Sequence, residues 1–309
     1  MTGTLHRPIW LEGKLVPPAA ASIPVMAHAA HRGSLVFDFG AFHPTPRGLA
    51  VFRMRDHLER FRRSVGLLGL ELAYDTDVLA AATRQTVHAS ELTEGYVRWS
   101  AFVPTPEPDL VPRASRMSVA IAAYISADLL GEGESPVQRP AALRIAVFDD
   151  ARKAPPTAFP PLAKVAAAYA GPMIAKRRAH AAGADEVVLL DVEGHVAEAP
   201  TSNVFAVIDG QLVTPPLGRI LDGITRDSVL AVARAEGIPA HERPLSLAEL
   251  TAADEAFLTA SSFPIAPIAS INGTKLGRGA PGELTARLTT ILLAAERGRD
   301  ARFTGWTND

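Results

Sequence analysis

The sequence predicts an α+β protein of two domains, and three observations predict it. At 309 residues the chain is long enough for more than one core. Short apolar runs with strand patterning mix irregularly with helical stripes, unlike the strict strand–helix alternation of a doubly wound sheet. Residues 128–140, "DLLGEGESPVQRP", shift to Gly, Glu, Ser and Pro, the composition of an interdomain linker. The expected division is a small α+β domain over residues 1–127, that linker, and a larger domain over residues 141–309.

In chain order, "IWLEGKLVP" reads as a hairpin turning at Glu12-Gly13-Lys14. "SLVFDFGAFH" and "GLAVFRM" form a second strand pair across the turn "PTPRG". In "RDHLERFRRSVGLLGL", Leu58, Phe61, Val65 and Leu68 fall on one helical stripe with basic residues on the other face. A second helix, "DTDVLAAATRQTVHAS", follows, and the strands "GYVRWSAFVP" and "RMSVAIAAYI" return to the same sheet. The second domain opens with the strand "ALRIAVFDD", a proline-rich loop, and a helix that contains or follows Lys164. "DEVVLLDVEGHVAEA" and "NVFAVIDGQLVTPP" are expected as strand pairs turning at Val192–Gly194 and Asp209–Gly210. "ITRDSVLAVARAEG" is an amphipathic helix stopped by Gly237. "EAFLTASSFPIAPIASING" reads as strand, loop, strand, and "ELTARLTTILLAAERG" as a closing helix.

Composition removes several function classes. Net charge is -2, with 31 basic and 33 acidic residues interspersed, which provides no electrostatic footprint for nucleic acid. No apolar run reaches transmembrane length, and "MTGTLHRPIWLEGKLVPP" lacks the pattern of a signal peptide, so a cytoplasmic protein without membrane partners is expected. The absence of cysteine excludes disulfides, thiolate nucleophiles and thiolate metal sites. No Walker loop, Gly-x-Gly-x-x-Gly, His-Glu-x-x-His or Gly-x-Ser-x-Gly motif occurs. His28 and His31 lack a third ligand and read as structural, so no metal is expected.

A few residues invite chemistry, each with a plainer alternative. Lys164 is the one charge between Pro160 and Lys176; its stem could simply lie along apolar surface. Lys176, beside Arg177 and Arg178, reads as solvated. Glu198, between alanines, is either a solvent-facing loop residue or a desolvated carboxylate that needs a cation beside it. In "LDGITRDSVL", Gly223 permits a tight turn and Ile224 and Thr225 begin a helix. That start is either an anion site or an ordinary cap. "ASSF" at residues 260–263 offers the hydroxyls of Ser261 and Ser262 in a turn. Tyr96 and Arg98 share one face of a strand, placed to receive a carboxylate or to form a surface pair.

Together these features resemble the branched-chain aminotransferase-like family, the class IV, fold-type-IV group of pyridoxal phosphate (PLP) enzymes. The resemblance runs from "IWLEGKLVP" to the final helix. It is carried most specifically by Lys164 with Tyr169 five residues on, "EAPTSNVF", "LVTPPLGRILDGITRDSVL" and "DEAFLTASSFPIAP". It implies a two-domain fold with PLP at the domain interface, a larger cofactor-binding C-terminal domain, and a homodimer. The implied reaction is a ping-pong transfer of an amino group between an amino acid, branched-chain or another L-amino acid, and a 2-oxoacid.

By the same resemblance, Lys164 is the catalytic lysine that bonds to the cofactor aldehyde and moves the proton between substrate Cα and C4′. Glu198 pairs with the pyridine nitrogen, so that the cofactor itself supplies the cation that Glu198 lacks. Tyr169 bonds the phenolic oxygen. Arg60, Ile224, Thr225 and Ser261, the last in place of the usual threonine, hold the phosphate. Phe37, Tyr96, Arg98, Arg32 and Ser262 lie on the substrate side. "HRGSLVFD" departs from the family pattern: Arg32 replaces a tyrosine and Asp38 a glutamate. Ala168 and Ala260 stand where asparagine and glycine are frequent. Arg32 either receives a substrate carboxylate or faces solvent. The rival readings are a D-amino acid or (R)-amine transaminase, an aminodeoxychorismate lyase-type enzyme, and a non-catalytic PLP- or metabolite-binding protein. Tyr96 and Arg98 argue against the lyase, and intact Lys164 and Glu198 against the silent protein.

Overall fold

Alternating apolar residues in the first part of the chain close into one sheet, and a second, more continuously apolar set forms another. The computed structural model describes residues 5–130 and 139–308; the middle of the expected linker, residues 131–138, lies outside the described residues. The chain divides into two units: Met1–Gln138 with Ala163–Ala167 and Ala295–Asp309, and Arg139–Leu162 with Ala168–Ala294.

The first unit contains β1 (Ile9–Leu11), β2 (Lys14–Val16), α1 (His28–Arg32), β3 (Val36–Thr45), β4 (Gly48–Val51), α2 (Met54–Leu67), β5 (Glu71–Leu72), α3 (Thr76–Ala89), β6 (Gly95–Phe102) and β7 (Arg116–Tyr124). Among the described residues its sheet runs β2-β1-β7-β6-β3-β4, with β5 beside β7. The hairpin β1–β2 turns at Glu12 and Gly13, both at positive φ, as its sequence predicts. Along β6, Val97, Trp99 and Ala101 are buried, while Tyr96, Arg98 and Ser100 point to the other face. Trp99 Nε1 donates to Thr83 Oγ1 on α3 at 2.8 Å, which identifies the helical layer as the buried side. The expected stripe of α2 is buried at Leu58, Phe61 and Val65, but its basic face is split: Arg62 and Arg63 are exposed whereas Arg60 is buried. His28 is tied by both ring nitrogens, to Ser34 Oγ and Leu110 O, a structural arrangement.

The second unit contains β8 (Leu143–Ala146), α4 (Ala170–Ala181), β9 (Glu186–Val187), β10 (Glu198–Ala199), β11 (Ser202–Ile208), β12 (Gln211–Thr214), α5 (Ile224–Ala235), β13 (Ala240–Glu242), α6 (Leu247–Ala252), β14 (Glu255–Ala260), β15 (Phe263–Ile271) and β16 (Thr274–Lys275). The helix α7 (Glu283–Glu296) follows, and a 3-10 segment, Ala301–Thr307, closes the element order. The sheet order is β13-β12-β11-β14-β15-β8-β9, with β10 beside β11 and β16 beside β15. Val188, Val204, Ala206, Leu250, Leu258 and Ile268 belong to its core. Each such aliphatic residue larger than alanine stabilises the fold by roughly 1.5–3 kcal/mol through burial.

Three local expectations change. The helix after the proline-rich loop follows Lys164 rather than containing it: residues 166–169 make one 3-10 turn and α4 starts at Ala170. "DEVVLLDVEGHVAEA" is no regular strand pair but the short β9 and β10, with a single bridge from Leu190 to Val196 between them. There the Asp191 carboxylate accepts from the backbone N–H of Glu193 and His195 at 2.8 and 2.9 Å and from Arg219 at 2.6 Å. Backbone bonds from Leu189 N to Glu198 O at 3.0 Å, Ala197 N to Leu189 O at 2.9 Å and Asp191 N to His195 O at 2.7 Å still join the two arms, and the side chain ties the turn between them. Lys176 is not merely solvated, since its Nζ lies 2.7 Å from Oε2 of the buried Glu186. Among the described residues, no helix is long and apolar enough to cross a membrane.

Candidate active site

In the first unit the stretch Ala163–Ala167 is held by backbone bonds to the entry of β3. Ala167 N donates to Gly33 O at 3.2 Å, Ala166 N to Leu35 O at 2.8 Å, and Phe37 N to Lys164 O at 3.1 Å. Gly33 makes the approach possible: it sits at φ +66, and a Cβ there would stand 3.1 Å from the Ala167 Cβ. Lys164 N donates to Ser64 Oγ at 3.1 Å, and Ser64 Oγ donates to Arg60 O at 2.8 Å. The serine on α2 therefore ties the lysine backbone to the turn that carries Arg60. The half-buried Lys164 places its Nζ 4.9 Å from the centre of the Phe37 ring, a cation–π contact that keeps one side of the amine apolar.

Arg60 is aimed by a group that the sequence marks only as a departure from the family pattern. Asp38, fully buried on β3, accepts from Arg60 Nε at 2.8 Å and Nη2 at 2.7 Å, and from His57 Nδ1 at 2.7 Å. Burial pushes the Asp38 carboxyl up, but the Arg60 guanidinium and then His57 more than offset this and hold it below the usual carboxylate range. Burial pushes His57 down, with Asp38 opposing through the Nδ1 contact. The bidentate pair fixes the guanidinium plane and leaves a positive group in a largely desolvated place.

On the opposite face of the same sheet, register places Phe37, Phe39, Tyr96, Arg98 and Tyr124 together. The exposed Arg98 lies 5.3 Å from the Phe37 ring centre and 5.7 Å from that of Phe39, and its Nε donates to Tyr124 Oη at 3.3 Å. Phe39 and Tyr96 pack with ring centres 5.0 Å apart. Arginine held over aromatic rings, with no carboxylate bonded to it in this unit, is suited to a planar anion. Arg32, the last residue of α1, is exposed and has no salt bridge among the described residues.

In the second unit Glu198 is 8% exposed, which decides between its two sequence readings: it is the desolvated carboxylate. Oε2 accepts from Asn203 Nδ2 at 3.1 Å and from Leu221 N at 3.0 Å, and Oε1 pairs with Lys153 Nζ. The expectation that Glu198 lacks a cation of its own is therefore corrected. Lys153, on the proline-rich loop, already stands beside it. Next in the chain, Gly223 caps α5 in an extended conformation, and a Cβ there would fall 1.9 Å from Asn203 Oδ1. Glycine is required because the start of the helix presses against the residue that holds Glu198. Ile224 and Thr225, in the first turn, are buried, and no side chain caps that turn. Its N–H groups and dipole suit an anion.

The remaining candidates lie in the same unit. Ser261 and Ser262 form the two-residue turn of the β14–β15 hairpin, tighter than the expected loop, with Ser261 half-buried and Ser262 exposed. Thr259, paired with Asn203 across β11 and β14, buries an Oγ1 that has no hydrogen-bond partner. Tyr169 is half-buried where the 3-10 turn passes into α4. An orphaned hydroxyl, a carboxylate with aligned donors and a glycine-led helix start fit a group with a basic ring nitrogen and a phosphate. PLP has both. Ser64, Asp38, His57, Lys153 and Tyr124 escaped sequence reasoning as site residues. The only signal any of them carries in sequence is the departure at Asp38.

Residues 45–271 match the family described as amino-transferase class IV. A branched-chain-amino-acid aminotransferase of Pseudomonas aeruginosa is 31% identical over 298 residues, covering 96% of this chain and 95% of the relative. Among solved structures, a branched-chain aminotransferase from Thermoproteus uzoniensis with norvaline is 33% identical with a TM-score of 0.89. It covers 97% of this chain and 98% of its own. A branched-chain amino acid aminotransferase from Thermobaculum terrenum, solved in its PLP-bound holo-form, is 27% identical with a TM-score of 0.87, covering 97% of both chains.

Proposed function

Since this chain belongs to the class IV aminotransferases, we propose that it moves the amino group of a branched-chain or similar L-amino acid to a 2-oxoacid. It is a PLP-dependent aminotransferase. The observation that carries the assignment of its site is Lys164, intact and clamped on both sides of its backbone by Ser64 and Phe37, with its amine against an aromatic ring.

When bound, PLP supplies an aldehyde that condenses with amines and a ring that withdraws electrons from the substrate Cα. The residues of this chain would do the rest. Lys164 Nζ would be the amine that holds the cofactor and the base that takes the proton from the substrate Cα and returns it in the reverse half-reaction. Glu198, held by Asn203 and Leu221 N, keeps the ring nitrogen protonated. Tyr169 donates to the phenolic oxygen. Arg60, the first turn of α5 at Ile224 and Thr225, and Ser261 hold the phosphate. Arg98, with Tyr96 beside it, receives a substrate carboxylate, and Phe37 forms an apolar wall.

A homodimer belongs to the same proposal. It is supported by the exposed apolar residues Val25, Met26, Leu110 and Val111. They sit on two loops of the first unit that meet at the bridge from Ala27 to Pro106.

The test is a half-reaction screen that follows the absorbance band of lysine-bound PLP as amino donors are added. L-leucine and L-glutamate are expected to discharge the band, and Lys164→Ala to lack both the band and turnover. A band that responds only to D-alanine or (R)-1-phenylethylamine would reverse the substrate class. A yellow, fully active Lys164→Ala protein would remove the assignment of the lysine.

A further inference from the structure

Glu198 has more donors than an anchor for one ring nitrogen requires. Asn203 and Leu221 N already fix Oε2, and Lys153 is paired with Oε1. This is no loose surface pair: the side chains of Lys153 and Glu198 are 18% and 11% exposed. Partial desolvation makes such a pair costly to assemble and more costly to break on one side. The loop that brings the lysine is itself pinned, since Lys153 N donates to Leu190 O at 2.8 Å and Arg152 bridges to Leu190. A carboxylate oxygen has two acceptor sites, so Oε1 can take one proton from an ammonium and one from a second donor.

From this arrangement we propose that Lys153 is a positioning residue that shares the Oε1 atom of Glu198 with the ring nitrogen of PLP. The inference rests on the reading that Glu198 faces that nitrogen. Lys153 holds Glu198 as a carboxylate and aims Oε1. It also competes for the same negative charge, so the ring nitrogen is held less tightly than by a carboxylate with no other cation. A lysine that served only to tether the loop would do neither. Removing its charge would then weaken the protein equally with and without the cofactor.

The test compares the full chain with Lys153→Met, Lys153→Gln and Lys153→Arg, each cofactor-free and loaded with PLP, by thermal unfolding and by PLP titration. In the cofactor-free protein, Lys153→Met is expected to melt about 5 °C lower. With PLP bound the loss is expected to be less than half of that, because the ring nitrogen then supplies a cation to Glu198. By linkage, PLP should bind Lys153→Met roughly 3- to 10-fold more tightly than it binds the wild type. Lys153→Gln, which keeps a donor and loses the charge, should shift the same way, and Lys153→Arg should restore wild-type behaviour. Equal losses in both states, or weaker PLP binding by the Met and Gln variants, would overturn the proposal. Glu198→Gln separates the two levels. If it leaves PLP affinity and absorbance unchanged, the reading of Glu198 falls. If it weakens binding while the Lys153 losses stay equal in both states, only the role of Lys153 falls.

Discussion

Asp38, with no exposed surface, sits between a guanidinium and an imidazole, and its charge sets the direction of Arg60. Glutamate, one methylene longer, is the common residue in the family pattern, yet aspartate here closes a bidentate pair with both distances below 2.9 Å. Asp38→Asn would keep the size and lose both the charge and one acceptor. Leaving a buried guanidinium without its partner costs about 3 kcal/mol or more. The expected outcome is a loss of that order in chemical denaturation and a PLP affinity weaker by about 10-fold or more. Unchanged PLP affinity in a destabilised variant would mean that Asp38 supports the fold without aiming Arg60. Because the Asp38 carboxyl is held below its ordinary range, its stabilisation is present above that range and is lost as pH falls through its folded value.

At the scale of elements, the start of α5 and the strands β10 and β11 form one device. Gly223 lies under Asn203, and Asn203 bonds both Glu198 and Leu221 O, so the helix N-terminus and the carboxylate are set by a single contact. Gly223 has φ -77, which any residue adopts, so the requirement is space and not backbone conformation. Gly223→Ala would push the Asn203 side chain aside at an overpacking cost of roughly 1–3 kcal/mol. We expect PLP affinity to fall by about 10-fold or more while the circular dichroism spectrum is kept. Gly237→Ala makes a useful contrast: that glycine is at φ +68 with no atom within 4 Å of an added Cβ, so it should cost stability without affecting PLP. If the two variants lost PLP affinity equally, the contact between Gly223 and Asn203 would not be the cause.

Over the whole molecule, one pH-dependent cost falls on a residue outside those assigned to the candidate site. Burial pushes Glu296, at the end of α7, up to about 7, with Arg297 opposing. His43 Nε2 lies 4.0 Å from Glu296 Oε2, and burial and then Arg297 push its own value down, with Glu94 opposing. Unfolded, Glu296 titrates near 4.5, so between that value and about 7 the native state binds more protons. Stability therefore falls as pH rises through this window, and the loss is complete above it. Glu296→Gln should remove the loss, matching the wild type at about pH 4 and exceeding it by about 3 kcal/mol at about pH 8. Urea denaturation at the two pH values checks this; a difference that does not change with pH would place the cause elsewhere.

Turns and helix starts were legible in the sequence because their signals are local. Glu12-Gly13 and Asp209-Gly210 turn strands through residues that tolerate positive φ. Gly223 followed by Ile224 and Thr225 opens a helix wherever the chain places it. The irregular stretch from β9 to β10 was only partly legible: its arms meet across the expected turn, but Leu189 bonds both Ala197 and Glu198 and the Asp191 side chain ties the turn. Partners were not legible. Ser64 meets Lys164 across 100 residues of chain, and Asp38 meets Arg60 across 22. Burial of Glu198 and the arrival of Lys153 beside it follow from how a sheet and a proline-rich loop pack. By itself the sequence determined the fold class, the family and which residues are candidates for its chemistry, because motif spacing survives as pattern. Only the tertiary structure decided which neighbours aim and charge them, because electrostatics depends on distance and desolvation, and neither is written along the chain.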